Sequence, residues 1–413
     1  MAIDLRERAA EADRLLATRL DEVVPMVMRR AGVAAWVLVA REYNEDPVVS
    51  TMLPSTWMAA RRRTILVFLD TGETVRRLAV SRYGVADLFE GAWSPDTQPD
   101  QWSALAGILD EADPGTIAVN RSSTFALADG LTGSEYEALL AALPSHLRSR
   151  LRSVDELTIG WLETRTADDM AHYPSIVRTS HEILRRALSS EVIEPTVTTT
   201  EEVVWWLRHE VESRRLRSWF QPTVSVQREG SGETSFAARP GDQVIERGDL
   251  VHIDFGLVDL GLHTDMQQHA YVRRSGELDA PAGLQAGISA ANHVQDLVMA
   301  EFALGRAGNE VLAAALATAR AAGMEATIYT HPIGLHGHAA GPTIGLWDQQ
   351  DGVAGAGEYP IHADTAYSIE LMVERPVPEW SGQTIRFMLE EDAFFDGRSV
   401  KFMDGRQTRL WII

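Results

Sequence analysis

Two pairs of carboxylates in this chain are spaced so that each pair can share a metal ion. Asp254 lies in a predicted strand over 248–256, and Asp265 follows a predicted turn at 259–261, so the two are symmetric about position 259.5. In a hairpin that turns there, they face each other on one side of the sheet with Cβ atoms ~5 Å apart. Two like charges this close are unfavourable unless a cation lies between them, and a divalent metal ion is the natural candidate. The alternative is that one aspartate caps the turn while the other faces solvent.

A second predicted hairpin repeats this arrangement. Its strands cover 366–374 and 384–395, and Glu370 and Glu391 are symmetric about position 380.5. Glu390 is expected to point to the opposite face, because adjacent residues of a strand alternate. The pattern therefore predicts that Glu370 and Glu391 meet on one face of the sheet.

Between the two hairpins, a glycine-rich segment carries three histidines, His331, His336 and His338. A lone histidine is more often structural, but a histidine in such a loop can reach a metal ion that the four carboxylates bridge. Four carboxylates and one imidazole suit two divalent ions that activate a shared water.

The surrounding pattern predicts two domains that position these residues. Residues 1–160 alternate between helix and strand, which is typical of an α/β domain; the predicted helices are 6–30, 101–108 and 134–143, and the predicted strands are 34–39, 64–69, 75–80 and 116–119. Residues 161–413 are helical up to about 218 and then mainly strands, interrupted by predicted helices at 284–303 and 309–322. Two irregular segments, 228–242 and 331–356, are candidate functional loops.

Composition excludes several classes of function. The net charge of −21 repels nucleic-acid phosphates, so no nucleic-acid partner is expected. The absence of cysteine excludes disulfides and thiolate catalysis. The charged first segment lacks the apolar stretch of a secretory signal, and no apolar run is long enough for a membrane span, so we expect a cytoplasmic protein without a membrane partner.

The candidate ligands together resemble those of the pita-bread dimetal peptidases, which include methionine aminopeptidases, prolidases and Xaa-Pro aminopeptidases. The family order of ligands (Asp, Asp, His, Glu, Glu) falls on Asp254, Asp265, His338, Glu370 and Glu391.

The motifs around three of these ligands carry the resemblance. The segment 337–341 resembles the Gly-His-x-x-Gly motif and makes His338 the best match for the metal histidine, with His336 as runner-up. Ser368-Ile369-Glu370 resembles Thr-Ile-Glu, and Glu391-Asp392 resembles the Glu-Asp pair of the last metal strand.

The resemblance also implies a fold. The preceding α/β domain is similar to the creatinase-type domain of Xaa-Pro aminopeptidases, prolidases and creatinase. We therefore expect an α/β N-terminal domain (creatinase-type) followed by an α+β pita-bread catalytic domain, and a homodimer.

The sequence departs from the family outside the metal ligands. A family histidine that precedes the first aspartate by seventeen or eighteen residues is replaced here by Ala237 or Phe236. A second one, after the metal histidine, is replaced by Gly345 or Trp347, and an arginine before the last glutamate by Leu389. These groups bind substrate and stabilise the tetrahedral intermediate in the family, so the substrate-binding shell of this chain is expected to differ.

Several residues are candidates for those roles. The resemblance implies that Glu370 holds the proton that passes to the leaving amine. His331 and His336 are candidate catalytic donors to an oxyanion, and His252 and His263 are further candidates that share a face with a metal aspartate. Each of these histidines is individually more often a packed or supporting residue.

The leading functional hypothesis is a hydrolase with two divalent ions per chain (Mn, Co, Zn or Fe) that cleaves a peptide or small amide substrate, like an Xaa-Pro aminopeptidase or prolidase. A creatinase-like hydrolase or lyase that acts on a small non-peptide substrate is the alternative. A catalytically inactive pita-bread scaffold used for binding is a hypothesis of another class.

Overall fold

The computed structural model describes residues 4–232 and 241–413, and it divides into two compact units between Asp169 and Met170. Ala237 and Phe236, which replace a family histidine, lie outside the described residues. None of the described helices has the length and apolar character needed to cross a bilayer.

The N-terminal unit is an α/β domain. Its helices are α1 Leu5–Arg30, α2 Pro47–Ser50, α3 Gln101–Ala112, α4 Gly133–Ala142, α5 Ser145–Arg148 and α6 Asp155–Glu163. Its strands are β1 Ala35–Arg41, β2 Arg63–Asp70, β3 Val75–Val80, β4 Glu90–Gly91, β5 Ile117–Val119 and β6 Leu151–Ser153. Short 3₁₀ helices cover Ala86–Leu88 and Ala126–Ala128.

These elements form because their apolar residues recur at the appropriate spacing. Helix α1 buries Leu16, Leu20, Val23 and Val27, which share one face at helical spacing. Strand β1 is buried along nearly its whole length, as expected for a strand covered on both faces. The six strands form one sheet in the order β4-β3-β2-β1-β5-β6, with antiparallel pairs β1–β2 and β2–β3 and parallel pairs elsewhere.

The C-terminal unit contains most of the strands. Its helices are α7 Ala167–Ala187, which begins just before the division, α8 Thr200–Ser213, α9 Ala282–Ala300 and α10 Gly308–Ala321, with 3₁₀ helices at Ala356–Glu358 and Pro378–Trp380. The first strands are β7 Thr223–Gln227, β8 Leu250–Phe255, β9 Val258–Asp259, β10 Leu262–His263 and β11 Met266–Tyr271. The later strands are β12 Glu325–Ile328, β13 His331–Ile333, β14 Thr365–Ser368, β15 Leu371–Val377, β16 Gln383–Leu389, β17 Asp392–Phe395, β18 Val400–Phe402 and β19 Trp411–Ile412.

The strands of this unit form several small sheets around one core. The orders are β19-β11-β8-β7, β12-β15-β16 and β13-β14-β17-β18, with a two-stranded β9–β10 ribbon. Helices α9 and α10 bury their apolar faces in the same hydrophobic cluster as β15 and β16, through residues such as Leu284, Ile288 and Phe387. The expected fold class, an α/β domain followed by an α+β pita-bread domain, is confirmed.

Candidate metal centre

The first carboxylate hairpin forms, but its strands pair in a different register from the one expected. Asp254 on β8 lies opposite Gln267 on β11 rather than opposite Asp265, because the chain turns one residue later, between Asp259 and Leu262. The pairing shifts by two residues, and a shift of two preserves the face on which a side chain lies. Asp254 and Asp265 therefore still come together and share a group of carboxylate oxygens within 4.8 Å of one another.

In the second hairpin, the register differs from the expected one by a single residue, which changes the face. Leu371 pairs with Leu389, so the next step along the ladder places Glu370 opposite Glu390. The expectation that Glu391 faces Glu370 while Glu390 points away is wrong. A one-residue shift exchanges the two faces of a strand, and it brings Glu390 into the cluster in place of Glu391.

Glu391 is instead held in a separate buried network. One of its oxygens accepts a hydrogen bond from His181 Nε2 at 2.6 Å, and the other accepts from Gln268 Nε2 at 2.9 Å and the backbone N–H of Gln407 at 3.0 Å. Glu391 belongs to none of the groups of described residues that could hold a metal ion.

His331 is the histidine that lies among the carboxylates. It begins β13 and pairs with Ser368 of β14, which fixes its backbone in a ladder. Its Nε2 lies 3.4 Å from Glu390 Oε1 and 3.8 Å from both Asp265 Oδ2 and Glu370 Oε2.

Three overlapping groups of the described residues could each hold a metal ion. They are Asp254 with Asp265 and Glu390, His331 with Glu370 and Glu390, and Asp265 with His331 and His338. Glu390 belongs to two groups and Asp265 to two, so the groups form one continuous cluster. The sequence-predicted residues Asp254, Asp265, His338 and Glu370 all lie in it.

Among the other predicted histidines, His338 belongs to the cluster. His338 is exposed, and its ring centroid lies 4.8 Å from that of His331 in an edge-on arrangement. His336 belongs to none of the three groups; its ring centroid lies 6.1 Å from that of His263. Burial, together with the nearby imidazole of His336, lowers the pKa of His263 to about 3, so this ring is neutral at neutral pH.

The electrostatics of the cluster favour a cation. Burial raises the pKa of Asp265 well above its usual value, and the charges of Glu390 and Asp254 raise it further. The pKa of Glu370 is raised for the same reasons. Among the described residues, Asp265 Oδ1 and His331 Nε2 have no hydrogen-bond partner although both are buried. Carboxylate oxygens and an imidazole nitrogen are donors that suit Mn²⁺, Fe²⁺, Co²⁺ and Zn²⁺, so this donor set fits divalent ions.

The backbone of Glu370 is anchored by Thr330. The Thr330 hydroxyl donates to the carbonyl of Glu370 at 3.0 Å and accepts from its N–H at 3.1 Å. Ser368 donates from its hydroxyl to Glu390 Oε1 at 2.7 Å. These neutral donors hold the two glutamates in place without neutralising them.

The indole ring of Trp219, which the sequence did not indicate as a site residue, packs beside His338. The indole N–H of Trp219 donates to the carbonyl of Thr264 at 2.9 Å, and its ring meets the edge of His338 at a centroid distance of 5.3 Å. Gly256 and Gly337 make room for this indole, since a Cβ at either position would lie about 2.5 Å from its atoms. The spacing of these glycines carried no signal, because the contact depends on the path of two loops.

Different surroundings are found at the residues expected to replace a family histidine or arginine, which are Gly345, Trp347 and Leu389. A Cβ on Gly345 would lie 2.1 Å from the carbonyl oxygen of Ile328, so no histidine fits at this position. Trp347 is half exposed, and Leu389 is buried in the hydrophobic core.

Comparisons with known proteins agree with this geometry. Residues 175–394, more than half of the chain, match the model of metallopeptidase family M24. No curated protein sequence matches the chain significantly.

Solved structures of low sequence identity show the same fold. An X-Pro aminopeptidase from Thermotoga maritima is similar with a TM-score of 0.65 and 15% identity, over 94% of this chain and all of that one. An Xaa-Pro dipeptidase from Bacillus anthracis has a TM-score of 0.63 and 14% identity, over 96% of this chain and all of that one.

The fold is also shared with a protein described in other terms. The N-terminal domain of the FACT complex subunit SPT16 from chickpea (Cicer arietinum) has a TM-score of 0.58 and 10% identity, over 96% of this chain and 98% of that one. At these identities the structures establish the fold alone, whereas the match to the family model covers the cluster itself. The chain is a member of metallopeptidase family M24.

Proposed function

We propose that this protein is a two-metal peptidase that cleaves small substrates of the Xaa-Pro type. The single observation that carries the proposal is the pair of overlapping groups that share Glu390, one with two aspartates and one with a histidine and a glutamate. Two divalent ions would be held in these adjacent groups. The residues that would hold them are Asp254, Asp265, His331, Glu370 and Glu390.

This ligand set differs from the sequence-based one at two positions. His331 replaces His338 because its Nε2 lies nearest to the carboxylates of both glutamates. Glu390 replaces Glu391 because the strand register places it opposite Glu370. When bound, the ions would polarise the scissile carbonyl and activate a water for attack.

The protein's own residues supply the remaining steps. Glu370 would hold the proton that passes to the leaving amine. His338 is the exposed member of the cluster and donates to the developing negative charge on the substrate. Trp219 packs against His338 and supplies an apolar ring beside it.

The test is to remove metal with a chelator, titrate the protein with Mn²⁺ and count ions per chain, and then assay a panel of Xaa-Pro dipeptides and tripeptides. Two ions per chain and Mn²⁺-dependent release of the N-terminal residue are expected. Glu390→Gln should weaken Mn²⁺ binding by more than about 100-fold, above the effect of losing a residue that only supports a ligand, and should abolish turnover. Glu391→Gln is the matched control, and it should keep both ions.

A second candidate is hydrolysis of a small non-peptide amide. It is favoured by Phe236 and Ala237, which stand in the sequence where the family has a histidine before the first metal aspartate. Two bound ions with no cleavage of any Xaa-Pro peptide, but cleavage of creatine-like substrates, would select this candidate. Failure to bind any ion would contradict both enzymatic proposals and favour a binding scaffold.

A further inference from the structure

One amide side chain, that of Gln267, lies among the carboxylates of the metal centre. Gln267 on β11 lies opposite Asp254 on one side and forms a two-way backbone bridge with Glu390 on the other. The two backbone hydrogen bonds of that bridge measure 3.0 and 3.3 Å. Residues paired directly across neighbouring strands present their side chains on the same face. The side chain of Gln267 therefore lies between proposed ligands.

The contacts of this amide determine its orientation. Its Nε2 donates to Glu370 Oε1 and, at 2.8 Å, to Glu390 Oε2. Ionised carboxylates only accept hydrogen bonds, so the nitrogen end of the amide must face the glutamates. Its oxygen then faces His252 Nε2 at 3.0 Å. Because an amide oxygen only accepts, the proton of His252 must lie on Nε2.

The amide holds one oxygen of each glutamate, and the Ser368 hydroxyl donates to the other oxygen of Glu390 at 2.7 Å. The oxygens that the amide does not hold, Glu370 Oε2 and Glu390 Oε1, are the ones that face His331 Nε2, at 3.8 and 3.4 Å. In each glutamate, the oxygen that the amide does not hold is therefore directed to the candidate metal group that contains His331. The two glutamates are thereby oriented before any ion arrives.

We propose that Gln267 is a positioning residue that orients Glu370 and Glu390 for metal binding, and that His252 acts through Gln267 by fixing its amide. The inference rests on the proposed two-metal function. A neutral amide suits this role because it supplies two N–H donors without adding a positive charge that would compete with the cation. An apolar side chain of the same length would remove this donor from Glu370 and would leave the Glu390 carboxylate held by the Ser368 hydroxyl alone.

The experiment is a calorimetric titration of the metal-free protein with Mn²⁺. Gln267→Leu should lower the affinity by about 10- to 100-fold, the usual effect of losing a residue that orients a metal ligand, while the number of ions per chain stays the same. Gln268→Leu is the matched control. Gln268 is an equally buried neighbour whose amide donates to Glu391, outside the cluster, and its loss should change the affinity by less than about two-fold.

Variants of His252 test whether it acts through Gln267. His252→Leu should weaken Mn²⁺ binding, and His252→Gln should restore it, since an amide N–H can donate to the Gln267 oxygen. In a Gln267→Leu background, His252→Leu should have no further effect on affinity. If His252 had only a structural role, the losses of Mn²⁺ affinity from the two substitutions would add, and His252→Gln would not restore binding.

The outcomes separate the inference from the proposed function. If the wild-type protein binds no Mn²⁺, both are overturned. If the wild type binds two ions and folded Gln267→Leu binds them equally well, only the inference is overturned. Should Gln267→Leu fail to fold, the two His252 variants decide the question, because His252 does not itself contact either glutamate through a hydrogen bond.

Discussion

The network that holds Glu391 away from the metal cluster leads to a quantitative prediction. His181 on α7 lies between two carboxylates, with Nε2 2.6 Å from Glu391 Oε2 and Nδ1 3.0 Å from Asp404 Oδ2. Both ring nitrogens face acceptors, so the ring is a doubly protonated imidazolium. Burial alone would lower the pKa of His181, but the charges and hydrogen bonds of Glu391 and Asp404 outweigh burial and raise it to about 9.

The size of the effect follows from linkage between protonation and folding. A histidine pKa that rises from 6.5 in the unfolded chain to about 9 in the folded protein corresponds to about 3 kcal/mol of stability. Because the folded pKa is the higher one, this stabilisation is fully present below pH 6.5 and is lost as the pH rises through 9. Glu391→Gln should therefore lower the free energy of unfolding by about 2 kcal/mol at pH 6 and by much less at pH 9.5.

Urea unfolding of the metal-free protein at the two pH values measures this difference. Gln268→Leu removes a different hydrogen bond to Glu391 and serves as the control, with a cost that does not depend on pH in this range. Equal destabilisation of Glu391→Gln at pH 6 and pH 9.5 would refute the assignment of a charged His181. Loss of Mn²⁺ binding in Glu391→Gln would contradict the placement of Glu391 outside the cluster.

Two predictions concern the N-terminal unit. Burial raises the pKa of Glu163 to about 8, although the positive charge of Arg30 partly opposes this rise. The stability that comes from the neutral carboxyl group is therefore present below pH 4.5 and is lost as the pH rises through 8. Glu163→Gln should therefore raise the thermal midpoint by several degrees at pH 9 and change it little at pH 4.5; calorimetry that finds the same shift at both values would contradict this. A Cβ on Gly130 would lie 2.1 Å from Asp46 Oδ2, so Gly130→Ala should cost about 2 kcal/mol of unfolding free energy. Gly133, where a Cβ meets no atom within 4 Å, is the control, and a destabilisation by Gly133→Ala as large as that by Gly130→Ala would show that the crowding is not the cause.

Much of the fold could be predicted because its signals are local. The helix expected over 6–30 is found at Leu5–Arg30, and the strand expected over 75–80 is found at Val75–Val80. In both cases apolar residues at the period of one element are buried together, and a single window of sequence contains that information. The two central hairpins were also evident, since strands and turn residues alternate there.

The identity of the last glutamate could not be predicted, because it depends on where a turn is centred. In the first hairpin, an error in the turn centre moved the partner of Asp254 by two residues, and the aspartates stayed on one face. In the second hairpin, a smaller error moved the partner of Glu370 by one residue and exchanged Glu391 for Glu390. The register of a hairpin depends on the geometry of its turn. The turn residues of this sequence did not locate the centre of either turn to within half a residue.

The proposed preference for His331 over His338 could not be predicted, for a related reason. The glycine-rich motif pointed to His338, which lies in an irregular segment whose path depends on the contact between Gly337 and Trp219. His331 lies at the start of β13, where pairing with Ser368 fixes it beside the strand that leads to Glu370. A strand immediately before the loop was the signal that would have favoured His331.

The pairing of β19 with β11 has a consequence for the order of events during synthesis on the ribosome. Trp411 and Ile412 pair in parallel with Ala270 and Tyr271, on the strand that follows Asp265. The N-terminal unit has all its strands by Ser153 and can fold while the rest is still being translated. The sheet next to the metal centre, in contrast, stays incomplete until the strand 411–412 has left the exit tunnel. Ions added to a stalled nascent chain that ends before residue 411 should therefore meet an unfinished site.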